Sequence, residues 1–144
     1  MRLTNLLRGF TLVELAIVIV IAGILAAVAI PIYQGLINDS KWSEGKSAAG
    51  TVRQSADVYK ARQSGNFTGL TPGAMDNAVT VGQLKLTNAF DNLRYFVPAN
   101  IVLAVPVITA GNYIVTVSAN ATLVPDAPIN GPYIINQGGD ETGP

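Results

Sequence analysis

The side chains available for chemistry in this sequence narrow the field at once. Its 144 residues include no histidine and no cysteine, which closes hydrolase triads built on histidine, disulfides, thiolate metal sites and most zinc sites. Carboxylates remain. Asp126, Asp140 and Glu141 lie toward the C-terminus and, with nearby carbonyls, are oxygen ligands of the kind calcium takes. They lack EF-hand spacing, and a solvated acidic chain end accounts for them better than a site does. Glu14 is the unusual one. It follows Thr11-Leu12-Val13 and precedes an apolar run that meets no other ionisable side chain before Tyr33. An isolated carboxylate held mid-bilayer costs on the order of 2.5 to 3.5 kcal/mol on insertion scales, so Glu14 calls for a cationic partner or for water.

The element that must position Glu14 is the run itself. From Leu15 to Ile32 the residues are Leu, Ala, Ile, Val, Gly and one Pro, apolar on every face. A helix of that kind belongs in lipid or in the interior of an assembly. At about 1.5 Å per residue, Phe10 to Tyr33 extends roughly 36 Å, enough to cross a hydrocarbon core of about 30 Å. A secretory signal peptide would use Arg2 and Arg8 as its basic end and Ala27-Val28-Ala29 as its cleavage site. Against that reading, the apolar region is longer than the roughly 7 to 15 residues usual there, and it contains Glu14. The helical pattern also continues past the supposed cut. A plain one-span anchor explains the length and leaves Glu14 without a purpose.

The N-terminal residues resemble type IV pilin precursors and the pseudopilins of type II secretion. The match lies in a short basic leader, Met1 to Gly9, then Phe10-Thr11-Leu12-Val13-Glu14-Leu15, then the apolar run ending Ile30-Pro31-Ile32-Tyr33. The resemblance implies cleavage between Gly9 and Phe10 by a prepilin peptidase on the cytoplasmic side. It implies N-methylation of Phe10, with S-adenosylmethionine as methyl donor to the processing enzyme, and a chain that is substrate rather than catalyst. Glu14 would meet the N-terminal amine of a neighbouring subunit, where two opposite charges cancel in a place that neither can occupy cheaply alone. The simpler role is stabilisation in the first helical turn by the helix dipole and headgroup water. Implied partners are further copies of the chain in a helical filament, an inner-membrane assembly platform, an assembly ATPase, and lipid before assembly. The protein is expected in the inner membrane as a single span with a cytoplasmic N-terminus, then in an extracellular pilus or a periplasmic pseudopilus.

Composition sets the remaining bounds. With 49% hydrophobic and 12% charged residues, the chain suits one domain plus an anchor. The nine basic residues balance nine acidic ones. Loss of Arg2 and Arg8 with the leader makes the mature chain mildly acidic, so no basic surface points to specific nucleic-acid binding. The two arginines also suit an N-terminus held inside. Lack of cysteine departs from the C-terminal disulfide loop of many pilins, so closure there must come from packing, hydrogen bonds or a cation. That lack favours a pseudopilin or an atypical pilin, whereas the absence of a clear calcium loop favours a pilin, toward which we lean.

Four segments are expected: residues 1–9 as leader, 10–33 as membrane and filament-core helix, 34–64 as an amphipathic helix, and 65–144 as a loop plus sheet. In the second helix Ala48 or Ala49, Val52, Ala56 and Tyr59 recur at helical spacing, with Lys46, Arg53, Asp57, Lys60 and Arg62 on the other face. Pro31 predicts a helix kink or a melted turn over 27–32. Trp42 fits either the membrane surface or a packed site on the helix. Strands are predicted at Asn92–Val97, Ile101–Ile108, Asn112–Ser118, Ala121–Val124 and Tyr133–Asn136, antiparallel because the turns between them are tight. Residues 71–88 read as a loop with one short helix or strand, and the tail from Pro125 as a loop frayed at its end. The fold class is α+β, a long N-terminal helix (membrane anchor plus amphipathic spine) on a small antiparallel sheet in a pilin-like lollipop, and no cluster of catalytic residue types marks an enzyme. A membrane-tethered binding protein that never polymerises is the alternative of a different class.

Overall fold

The structure is a computed structural model that describes residues 9–107, 111–120, 124 and 127–144. Arg2, Arg8, most of the predicted strand Ala121–Val124, and Asp126 lie outside the described residues. Two compact units divide after Ile37. In the first, helix α1, which spans Leu12–Arg62, carries a fully exposed apolar surface with no residue buried through Ile37. Pro31 lies inside this helix, and residues 27–32 are helical throughout rather than unwound.

In the second unit the α1 residues from Asn38 onward have one buried face. Trp42, Gly45, Ala48, Ala49, Val52 and Ala56 are buried there, the stripe that the helical spacing predicts. They cover a five-stranded sheet in sequential order: β1 (Gly73–Ala74), β2 (Ile101–Val107), β3 (Asn112–Val117), β4 (Tyr133–Asn136) and β5 (Glu141–Thr142). Every pairing is antiparallel. Alternation does the sorting: Ile101 and Leu103, Tyr113, Val115 and Val117, and Tyr133 and Ile135 face the core. The β2–β3 register shifts between Ala104 and Val107. Pro106 lies in that interval and has no N–H to give the ladder, which accounts for the irregularity.

Three expectations are corrected. Asn92–Val97 is a loop, because the Glu44 carboxylate on α1 takes the backbone N–H groups of Arg94 and Tyr95, each at 2.7 Å, that a ladder would need. Phe96 then fills the space over Gly45, where a Cβ would come within 2.8 Å of its ring. The tail is not frayed: Glu141 and Thr142 pair with Ile135 and Ile134, and Arg53 Nη2 donates to the Gln137 carbonyl (3.3 Å). Gly139, at φ +87, leaves room for that guanidinium, 3.0 Å from where a Cβ would sit. Residues 71–88 contain both a helix and a strand, β1 and α2 (Ala78–Leu84), the latter capped by Asn77 Oδ1 accepting from Val79 N (2.9 Å).

Trp42 is a core residue. It is fully buried, its ring lies 5.1 Å from that of Phe96, and its indole N–H donates to the Ile129 carbonyl (3.0 Å). Asn38 Oδ1 accepts from Ile129 N (2.7 Å), so two side chains from the same stretch of α1 hold one loop residue. Trp42→Ala is expected to cost about 3–5 kcal/mol, the range for deleting a buried aromatic, and to release that loop. Chemical denaturation of the full chain in detergent checks the first, and amide exchange at Ile129 the second.

Candidate functional site

The N-terminus of α1 is built by two residues. Thr11 is its N-cap, with the helix starting at Leu12, and Glu14 sits in the first turn. Glu14 N donates to Thr11 Oγ1 (3.2 Å), while Glu14 Oε2 accepts from Thr11 N (3.2 Å) and from the Thr11 hydroxyl (3.1 Å). This is a capping box, with each residue satisfying a backbone donor of the other. The Thr-x-x-Glu spacing displays it in the sequence, where the expected roles of Glu14 are pairing with a neighbour's amine and stabilisation by the helix dipole. Gly9 and Phe10 precede the helix in exposed chain without regular structure, Phe10 with 85% of its surface accessible. A peptidase would find that bond uncovered by any described residue. Glu14 has no described cation beside it, and its carboxylate is exposed.

Beyond Glu14 lies apolar surface. Shallow grooves form along the helix between Leu12 and Ile21, and again between Ala29 and Ile37. Apart from the Ala27 carbonyl, which Pro31 cannot serve, the backbone of such a segment is satisfied within the helix, so its side chains largely decide what covers it. It is long and apolar enough to cross a membrane.

The carboxylates of the C-terminal region point elsewhere. Asp140 Oδ2 accepts from Asn136 Nδ2 (2.8 Å), and Asp140 N donates to Asn136 Oδ1 (3.0 Å), which closes the β4–β5 turn. Glu141 lies on β5 opposite Ile135, close enough to Tyr133 to perturb it. Among the described residues no group of three metal-ligating side chains converges. Tyr133 and Tyr113 instead show the electrostatics of this region. Burial, then the hydrogen bond and charge of Glu141, push the Tyr133 phenol up to about 12 against the pull of Arg53. Burial and the Asp57 carboxylate, whose Oδ1 accepts from the Tyr113 hydroxyl at 2.8 Å, push Tyr113 higher still.

The prokaryotic N-terminal methylation motif matches residues 7–30, which bracket Gly9, Phe10 and Glu14. Over 130 residues the chain is 35% identical to a type IV major fimbrial protein of Dichelobacter nodosus, covering 81% of this chain and 75% of that protein. It is 34% identical over 88 residues to the type IV narrow pilus major component of Thermus thermophilus, 51% of this chain and 76% of that protein. The type IV major alpha-pilin of Moraxella bovis is 45% identical over 60 residues, 40% of this chain and 38% of that protein. No solved structure matches the fold. A long N-terminal helix whose later residues cover a small antiparallel sheet gives an α+β architecture, and the relatives are structural fimbrial and pilus proteins, a non-enzymatic class. The chain belongs to the type IV pilin family.

Two predictions follow from this geometry. Thr11→Val removes the cap hydroxyl while keeping the shape, and is expected to destabilise the first turn by about 0.5–2 kcal/mol, the usual value of an N-cap. Faster amide exchange confined to residues 13–15 in detergent would show it; unchanged exchange would count against the capping box. For the head, both tyrosines are harder to ionise when folded than the ordinary phenol near 10. Below about 10 their contribution to stability is complete, and it is lost as pH rises through about 12 because the unfolded chain gives up those protons first. Thermal melts from pH 9 to 12 should fall steeply above 10, and Tyr133→Phe should flatten part of the slope.

Proposed function

We propose that this chain is the structural subunit of a type IV pilus, made as a prepilin, cut after Gly9, N-methylated on Phe10 and polymerised through the segment from Phe10 to Ile32. The observation that carries the reading is the coincidence of three things in one stretch: the methylation motif over residues 7–30, an exposed Gly9–Phe10 bond, and a helix whose first turn presents a single carboxylate ahead of uninterrupted apolar surface. The fimbrial and pilus proteins it is similar to favour a surface pilus over the pseudopilus of a secretion system.

In this reading the chain first resides in the inner membrane with its N-terminus inside. A prepilin peptidase cuts it and adds the methyl group from S-adenosylmethionine. An assembly platform driven by an ATPase then moves the apolar helix from lipid into a bundle of like helices. Lipid is as apolar as those helices, so water exclusion supplies no preference between the two, and packing and polar pairing must. The new amine of Phe10 on one subunit and the Glu14 carboxylate of its neighbour supply such a pair. Glu14 leaves or shares its Thr11 contacts to make it. The head faces outward.

Glu14→Ala tests this directly. Cleaved, methylated chains starting at Phe10 should still appear in intact-mass measurements of membrane fractions, while subunits in sheared surface fibres fall at least about tenfold, the effect of roughly 1.4 kcal/mol per addition step. Fibres at normal yield would refute the pairing. A wild-type chain starting at Met1 or Ile30 would refute the processing and favour a plain anchor or an exported domain.

A further inference from the structure

The face of the head where α1 ends holds a cleft of about 200 Å3 unrelated to the apolar helix surface. Its rim is basic and its lining carries no carboxylate: Gln54, Ser55, Val58 and Arg62 come from α1, Leu84 and Lys85 from the end of α2. Two further wall residues are already engaged, Tyr59 donating to the Thr68 carbonyl (3.1 Å) and Gln83 bridging Gly69 and Thr71 (2.8 and 2.7 Å). In contrast, the side chains of Gln54, Ser55, Arg62 and Lys85 have no hydrogen-bond or ion-pair partner among the described residues. Four donors, two of them cationic, thus share one concavity.

Basic residues at helix C-termini often serve only to satisfy carbonyls and the dipole. Here some of those carbonyls are already taken by backbone. Gln63 N donates to Tyr59 O (3.1 Å) and Gly65 N to Lys60 O (2.9 Å) at the end of α1, and Leu86 N donates to Val81 O (2.9 Å) at the end of α2. The two full charges also outweigh the roughly half-charge of each helix end. Lys85 adds an independent sign. It occupies the left-handed region (φ 61), where glycine or asparagine is the unstrained choice, so a lysine there runs against local backbone preference. Backbone strain of this sort is found preferentially where a side chain is needed.

We propose that this cleft binds a small oxyanion-bearing ligand, the carboxylate of an acidic sugar or a phosphate monoester, held by Arg62 and Lys85 with Gln54 and Ser55 as neutral donors. The side chain of Val58, 45% exposed, and the adjoining Leu84 provide an apolar floor for the carbon skeleton of the ligand. The volume admits one such group rather than a folded partner. Arg62 suits it because its planar fork matches either oxyanion with paired hydrogen bonds, while Lys85 supplies a point charge.

The test uses the full chain in neutral detergent, 15N-labelled, titrated at fixed ionic strength with inorganic phosphate, glucuronate or neutral glucose. Saturable shifts at the amides of Gln54, Ser55 and Lys85 with the two anions and none with glucose are expected. Tighter binding of phosphate would assign a phosphoryl ligand, and tighter binding of glucuronate an acidic sugar. Lys85→Gly keeps the fold, since glycine suits that backbone, and should weaken binding about tenfold, the effect of losing a charge-assisted hydrogen bond. Arg62→Gln should do the same from the other helix. Absent or non-saturable shifts, equal shifts with glucose, or less than about a threefold change in Lys85→Gly would overturn the proposal.

Discussion

A helix satisfies its own backbone, and that single property lets one element serve two environments. Between Leu12 and Arg62 the main-chain donors and acceptors are mostly used internally, apart from the ends and the Ala27 carbonyl, which Pro31 leaves without its usual donor, so the medium around each turn is chosen chiefly by side chains. Up to Ile37 every face is apolar and none is buried within the chain. From Asn38 the helix becomes two-sided, with Trp42, Val52 and small residues inward and most charged residues outward. Asn38, Glu44 and Arg53 then do what an all-apolar helix cannot: their polar groups capture the backbone of distant loops.

That capture replaces covalent closure. With no cysteine, the residues after β3 have to be retained by other means. Trp42 and Asn38 grip Ile129, Arg53 grips Gln137, and β5 adds two residues to the sheet edge beyond them. Each contact is of modest worth, about 0.5–1.5 kcal/mol for an ordinary hydrogen bond. They converge on a buried tryptophan and on paired strands, so breaking one leaves the rest in place. Asp140 is engaged with Asn136 in its own turn, and Glu141 lies beside Tyr133.

What could be read in advance depended on how local the cause was. The apolar run, the helical stripe from Ala48 to Ala56, and the strands at residues 101–107, 112–117 and 133–136 all declare themselves by period, and they stand where expected. The loop at residues 92–97 was misread as a strand because its β-rich composition is overridden by Glu44, about fifty positions away, and nothing in the local pattern carries that information. Strands β1 and β5 are too short to show alternation and exist only because longer neighbours offer them a ladder. Trp42 remained ambiguous for the same reason, since its partners Phe96 and Ile129 are remote in sequence. Of the candidate functional residues, Glu14 was visible by type and place, but its bond to Thr11 was overlooked although the spacing displays it.

That bond bears on how assembly can be both possible and reluctant. An unpaired carboxylate at the entry to an apolar helix would be a standing penalty in the membrane; Thr11 reduces it by giving Glu14 a backbone N–H and a hydroxyl within its own chain. In the proposed pairing the same contacts are given up, or shared, when an amine from another subunit arrives. The Thr11 contacts are themselves charge-assisted, so in the proposed pairing the preference for a neighbour comes from the full positive charge of the incoming amine, which the neutral Thr11 donors lack. A stronger intrachain partner, such as a lysine one turn on, would hold the carboxylate permanently, and an apolar residue at position 14 would leave nothing to exchange. In the proposed pairing Thr11 shelters the charge in the free subunit without supplying an opposite charge that would hold it permanently.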